Sequence, residues 1–408
     1  MNKNPTTHST LHHHRTIFDG WRSITLAVYM ALAGYSVMVG IPVISTAWVT
    51  LLGFSEVQVG RVAGADLGGF SAGAVLVSLF VARVNRRLLA FIAAFVVILG
   101  NGLSMVMLSY EETLWLRVIA GAGSGAFTAV AVATLAGTTK PARAFNILLF
   151  AFAFSQGLEL YLLPKLSMNE IYLFFIASYV IGLLFIGWLP PRPVDKSLDV
   201  EVDEELPGDG YSTSHVHVPA SVPWLVLGAV LFTYINIGAY WTYIELASLD
   251  SEASADWVGQ LLVYTSVFSV IGCAFATVIS NRFGLARPLL VTLVFQAIIV
   301  VMLANGINNI NVMISMFSFN FCWIFVDVYQ SATIANVDHS GRFAALMPGA
   351  QGLGQIIGPN LAATILAMGL GYGSVFVMCA IASLTAFVIY LFMYMRLRRI
   401  IPALADAS

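Results

Sequence analysis

Twelve runs of about twenty predominantly apolar residues, the length at which a helix crosses the hydrocarbon of a bilayer, begin near residues 23, 57, 88, 113, 144, 171, 223, 257, 286, 309, 342 and 372. They leave little of the chain for anything else. Of the 408 residues, 59% are hydrophobic and 10% charged. Soluble domains carry about 25% charged residues, so lipid is the main solvent of this chain. The expected fold class is an all-α integral membrane protein with twelve transmembrane helices. A net charge of −2 leaves no basic footprint for nucleic acid.

An even number of spans puts both termini on one side, and the basic residues say which. Sixteen of the nineteen Lys and Arg fall in the termini or the even-numbered connections, which makes both termini cytoplasmic and the setting the cytoplasmic (inner) membrane. The first twenty residues are polar, with His12, His13 and His14. They read as a solvated tail without a cleavable signal peptide. Cys273, Cys322 and Cys379 fall inside spans and read as small core residues, not as a disulfide framework.

The longest connection, 190–222, divides the spans six and six. It opens with PPRP and holds seven of the chain's twenty-one acidic residues, so it is too polar to insert or to build a core. The expected organisation is a polar tail (1–22), a six-helix bundle (23–189), an acidic cytoplasmic linker (190–222), a second bundle (223–395) and a tail (396–408).

The halves repeat each other. QGLELYLLPKL at 156–166 aligns with QGLGQIIGPNL at 351–361, and ATLAGTTKPAR at 133–143 with ATIANVDHSGR at 332–342. The shift of the second pair also carries Val59-Gly60 onto Val258-Gly259 and Arg83 onto Arg282. Span five therefore matches eleven, four matches ten and two matches eight. Internal repeats of this kind mark transporter folds with a binding site near the bilayer midplane.

With twelve spans, a six-plus-six split and a long central loop, the chain resembles the major facilitator superfamily over essentially its whole length. That family carries a glycine followed by Asp-Arg-x-Gly-Arg-Arg after span two. Here ARVNRR (82–87) keeps the three arginines, with Ala82 for Asp and Asn85 for Gly, and NRFG (281–284) is its partial counterpart. RVIAGAG (117–123) is similar to the family's Arg-x-x-Gln-Gly motif in span four, with Ala120 for Gln. The resemblance implies two pseudo-symmetric six-helix bundles in which spans one, four, seven and ten line a cavity while three, six, nine and twelve face lipid. Arg83, Arg86, Arg87, Arg282, Asp338 and Arg342 are the candidate cytoplasmic gating-loop residues, basic loops being suited to the negative ends of helix dipoles.

Six ionisable residues fall within spans: Arg61 and Asp66 in two, Arg117 in four, Glu159 in five, Glu245 in seven and Asp327 in ten. Spans three, six, nine and twelve carry none, as expected if charge avoids lipid and faces a cavity or a partner. Glu245, Asp327, Glu159, Asp66 and Arg117 are the candidates for substrate binding and proton coupling. Helical spacing puts Tyr234, Gly238, Trp241 and Glu245 on one face, and Asn320, Trp323, Asp327 and Gln330 on another. From these, Tyr234, Trp241, Asn320, Trp323 and Gln330 are the cavity-lining candidates. Arg61 and Arg117, about one turn from the outer surface, are alternatively snorkelling cations, and Arg117 is alternatively a structural partner of Asp66. Glu245 is alternatively a solvated rim residue.

No histidine lies in a span, so carboxylates must carry any coupled protons. No GxxxxGK[ST] phosphate loop occurs, and no HExxH or Cys/His cluster lies in a span. The expected function is secondary active transport of a small organic solute by alternating access, coupled to protons, by a monomer that is not an enzyme and uses no cofactor or metal. Four intramembrane acids beside tryptophan and tyrosine suit a neutral, weakly basic or aromatic solute. An organic anion requires Arg117 to receive it. The alternatives are a non-transporting sensor or scaffold that uses the acidic linker, and an intramembrane acid/base enzyme.

Overall fold

The computed structural model describes residues 17–81, 83–138, 141–191, 221–251, 253–279, 283–337 and 342–400. The linker over 192–220, most of both tails, Arg282 and Asp338 lie outside the described residues, as does the side chain of Arg342.

Among the described residues there are twelve α-helices and no strand. The first half comprises α1 (Trp21–Leu52), α2 (Glu56–Phe80), α3 (Arg86–Ser104), α4 (Tyr110–Ala136), α5 (Pro141–Leu162) and α6 (Met168–Leu184). The second comprises α7 (Ser221–Asp250), α8 (Ala255–Ile279), α9 (Ala286–Met302), α10 (Asn309–Val337), α11 (Arg342–Ala367) and α12 (Gly371–Ile400). Every helix begins within three residues of its expected start. Ten are long and apolar enough to cross a membrane. Of the other two, α6 is short, and α11 carries Gln351, Gln355, Asn360 and several glycines. Packing of α11 against α2 and α7 shelters those polar groups from lipid.

Local chemistry sets several boundaries. Ser55, Ser109 and Ser167 each open a helix with a capping box, closed by Gln58, Glu112 and Glu170, which satisfies backbone N–H groups that the first turn leaves without partners. Gly53 ends α1 at φ 71°, a left-handed conformation that glycine adopts without steric cost.

The packing is two-fold pseudo-symmetric. In the first half α4 touches α1, α2 and α3, α1 also touches α5 and α6, and α3 touches α6. The corresponding contacts of α10 with α7, α8 and α9, of α7 with α11 and α12, and of α9 with α12 recur in the second. Between the halves, α2 meets α11, α5 meets α8 in the equivalent way, and α1 meets α7 on the pseudo-axis. The interior helices are α1, α4, α7 and α10: from 56% to 72% of their most apolar stretches is buried, against 28% to 44% in the other six spanning helices. Helices α3, α6, α9 and α12, whose charged residues lie only near their ends, turn large apolar side chains outward, including Phe95, Leu173, Phe295 and Phe392.

Glycine permits the closest helix pair. On α2, Gly69 and Gly73 lie so near the carbonyls of Val118 and Ala122 on α4 that a Cβ would strike backbone, and Gly121 and Gly125 on α4 stand in the same relation to Asp66 and Phe70. Small residues four apart let two backbones touch.

Candidate functional site

At the centre, α1 and α2 face α7, α10 and α11 across a void of about 10 Å³, bordered by Met38, Leu67, Gly238, Trp241, Trp323 and Gln355. That is room for about one water, so the halves are closed at this depth. The two indoles meet edge to face, 5.8 Å apart. Trp241 Nε1 donates across to the carbonyl of Val39 at 3.2 Å, and Gln355 Nε2 reaches Met38 Sδ at 3.1 Å.

Every hydrogen bond described between the halves lies at this level or toward the end away from the termini. Gln156 Nε2 donates to Asn320 Oδ1 at 3.5 Å. Tyr243 Oη donates to the carbonyl of Glu56 at 2.8 Å, and Arg61 reaches Asn360 and Thr364. These bonds hold the halves together at the far end.

The carboxylates sit in different surroundings. Asp327, half-buried on α10, accepts from Tyr234 Oη on α7 through both oxygens, at 2.7 and 2.8 Å. Gln351 Nε2 on α11 donates to the same phenol oxygen at 3.0 Å. Three helices of the second half therefore converge on one acid, and Tyr35 and Tyr390 lie within electrostatic range of it. Glu159 on α5 is buried and accepts from Ser36 Oγ of α1 at 2.9 Å and from Ser155 Oγ at 2.8 Å.

Glu245 is buried on α7 beside Thr46 of α1, and its Oε2 has no hydrogen-bond partner. That corrects the alternative of a solvated rim. Near the helix end, a rim side chain still needs a path to water, and α1 covers it.

Arg117 corrects a second expectation. Its helix starts at Tyr110 behind the Ser109 cap, so it lies about two turns inside, and it is 1% exposed. It does not snorkel. Nη2 donates to Asn101 Oδ1 at 3.0 Å and Ser104 Oγ at 2.9 Å on α3, and Nη1 stands 3.6 Å from Asp66 Oδ2 on α2. The guanidinium also lies over the ring of Tyr172 on α6 at 4.9 Å. Arg117 and Asp66 thus form a knot inside the first half, turned away from the central void. No feature of α3 alone announces it, because Asn101 and Ser104 are isolated polar residues in an apolar helix.

Of the remaining candidates, Tyr234 meets Asp327, and Trp241 and Trp323 border the void. Asn320 is buried beside Gln156, and Gln330 is buried with its amide on Thr233 Oγ1 at 2.8 Å. Arg86 donates to the carbonyl of Ala133 at 3.3 Å, and Arg87 to those of Leu189 and Gly187 at 2.6 Å. Both grip carbonyls at helix ends within the first half. Arg83 is exposed. Among the described residues no group of three metal-ligating side chains is assembled.

A family model described as Major Facilitator Superfamily matches residues 26–359. Among solved structures, a mutant of the nucleoside transporter NupG superposes with a TM-score of 0.69 at 14% identity, covering 91% of this chain and 98% of that one. A D-xylose-proton symporter gives 0.69 at 15%, covering 91% and 97%. A human organic anion transporter gives 0.62 at 15%, covering 90% and 99%. No curated protein gives a significant sequence match. At these identities the solved structures speak for the fold.

Proposed function

The chain belongs to the Major Facilitator Superfamily, and on that premise we propose that it carries a small organic solute across the cytoplasmic membrane by alternating access, driven by protons. One observation carries the coupling. Asp327, Glu245 and Glu159 stand at spanning depth, and among the described residues none has a basic partner within ion-pair distance. An acid held in lipid without a cation is costly in its charged form, so its proton uptake and release follow access to water. Both termini are cytoplasmic in this reading, and the hydrogen bonds that join the halves gather toward the opposite end. The carrier works as a monomer and does no covalent chemistry on its cargo.

Trp241 and Trp323 give the void two aromatic walls, and among the described residues no cation borders it. Arg117, the cation an anionic cargo would need, is spent inside the first half. A neutral, weakly basic or aromatic solute fits these walls best. Nucleosides and D-xylose, named for two of the neighbours in fold, are the first to screen, by thermal stabilisation of the purified protein, since a binder raises apparent stability by mass action. In proteoliposomes under a pH gradient, Glu245→Gln and Asp327→Asn each stop or uncouple flux of the solute so found. Unchanged pH-driven flux in both variants rejects the assignment.

A further inference from the structure

The seam where α2 of one half meets α11 of the other opens sideways onto a groove of about 460 Å³, walled also by α4. Gly64, Ala65, Gly68 and Ala72 line it along α2. From Arg61 to Ala72 it runs about 16 Å at the helical rise. That is about half the ~30 Å hydrocarbon core, the depth of one leaflet.

A cation stands at the shallow end. Arg61, half-buried and six residues into α2, donates from Nη1 to the Asn360 carbonyl at 3.2 Å and to Asn360 Oδ1 at 2.8 Å. Its Nη2 donates to Thr364 Oγ1 at 2.9 Å. Those bonds take three of the five N–H donors of a guanidinium, and all three acceptors are neutral. Among the described residues no carboxylate comes within 4 Å of Arg61, so its charge is uncompensated at the level where headgroups lie. Trp115, 68% exposed, flanks the groove from α4.

We infer that this groove binds one anionic phospholipid of the leaflet opposite the termini, with the phosphate on Arg61 and an acyl chain laid along the small residues of α2. The order of chemistry along the groove is that of such a lipid: a positive fork that pairs with two phosphate oxygens, then an apolar trough one leaflet deep. The trough exists because the α2 residues along it, Gly64, Ala65, Gly68 and Ala72, carry at most a methyl group. Since its walls belong to different halves, the lipid touches both only while the halves are joined at the far end, and by differential affinity it favours that state. The site lies on the lipid-facing flank, apart from the central void, and does not depend on which solute is carried.

The test uses the full chain in neutral detergent, with thermal unfolding followed after adding dioleoylphosphatidylglycerol or dioleoylphosphatidylcholine at equal mole fraction. The phosphatidylglycerol raises the wild-type midpoint several degrees more than the phosphatidylcholine. Arg61→Gln erases that difference and Arg61→Lys keeps part of it. Ala72→Phe, a change at an exposed position that fills the trough with a ring, reduces it by at least half. Equal midpoints with the two lipids in the wild type overturn the inference, as does a preference that survives Arg61→Gln. Inorganic phosphate matching phosphatidylglycerol shows an anion site without a lipid site and overturns it too. Should Arg61→Gln fail to fold, Ala72→Phe decides, and an undiminished preference there rejects the trough.

Discussion

Tyr234 points its phenolic proton into the fork of the Asp327 carboxylate, 2.7 Å from one oxygen and 2.8 Å from the other, and so ties α7 to α10. A hydrogen bond to a charged acceptor contributes about 1.5–3 kcal/mol, or at least a factor of ten in an equilibrium. Tyr234→Phe keeps the ring and removes the donor. Flux driven by a pH gradient in proteoliposomes falls about tenfold or more, while solute exchange at equal pH on both sides persists.

Glu245 offers an opposition between stability and activity. A buried acceptor without a partner costs about 1–3 kcal/mol, and its Oε2 is one. Glu245→Met, similar in volume and apolar, melts at or above the wild-type temperature. The same variant loses pH-driven flux. A residue serving only to hold the fold gives the reverse pattern, a lower melting temperature with flux retained.

Arg117 is the structural counterpart. Removing one member of a buried ion pair costs about 3–5 kcal/mol, and Arg117 and Asp66 are 1% and 2% exposed. Arg117→Met lowers the melting temperature sharply because it leaves Asp66 charged and alone and frees Asn101 and Ser104. Adding Asp66→Asn to Arg117→Met restores part of the loss. A double variant no more stable than Arg117→Met argues against the pairing.

Two glycines respond to a methyl group in opposite ways. At Gly73 the new Cβ meets the Ala122 carbonyl, and overpacking of this sort costs about 1–3 kcal/mol. At Gly102, within α3, nothing lies within 4 Å of the added atom, and Gly→Ala in a helix interior contributes about 0.5–1 kcal/mol. Thermal melts of Gly73→Ala and Gly102→Ala therefore move apart on either side of the wild type.

The twelve spans were legible because lipid imposes one length and one polarity on every helix, and serine caps mark several starts. The two-fold arrangement was legible from matching stretches 195 and 199 residues apart. Side-chain partners were harder to read. Helical spacing placed Tyr234 and Asp327 on promising faces of their helices, and the structure joins them. It also placed Gln330 with Asp327, yet three residues of helix rotate the side chain far enough for Gln330 to turn to Thr233 instead. The contacts of Arg61 with Asn360 and of Arg117 with Asn101 link neutral amides to distant cations, and such pairs leave no periodicity in a sequence.

Beyond Gly60, the glycines of α2 have two duties, set by which side of the helix they occupy. Gly69 and Gly73 meet the main chain of α4, which does not yield, whereas Gly64 and Gly68 meet the side-chain tips of Asn360 and Ile356 on α11, which do. One flank of α2 is a weld and the other a bearing. In the proposed rocking of the halves, α2 travels with α4 as a single piece and slides along α11, so a methyl group on the first flank harms assembly while one on the second brakes the stroke.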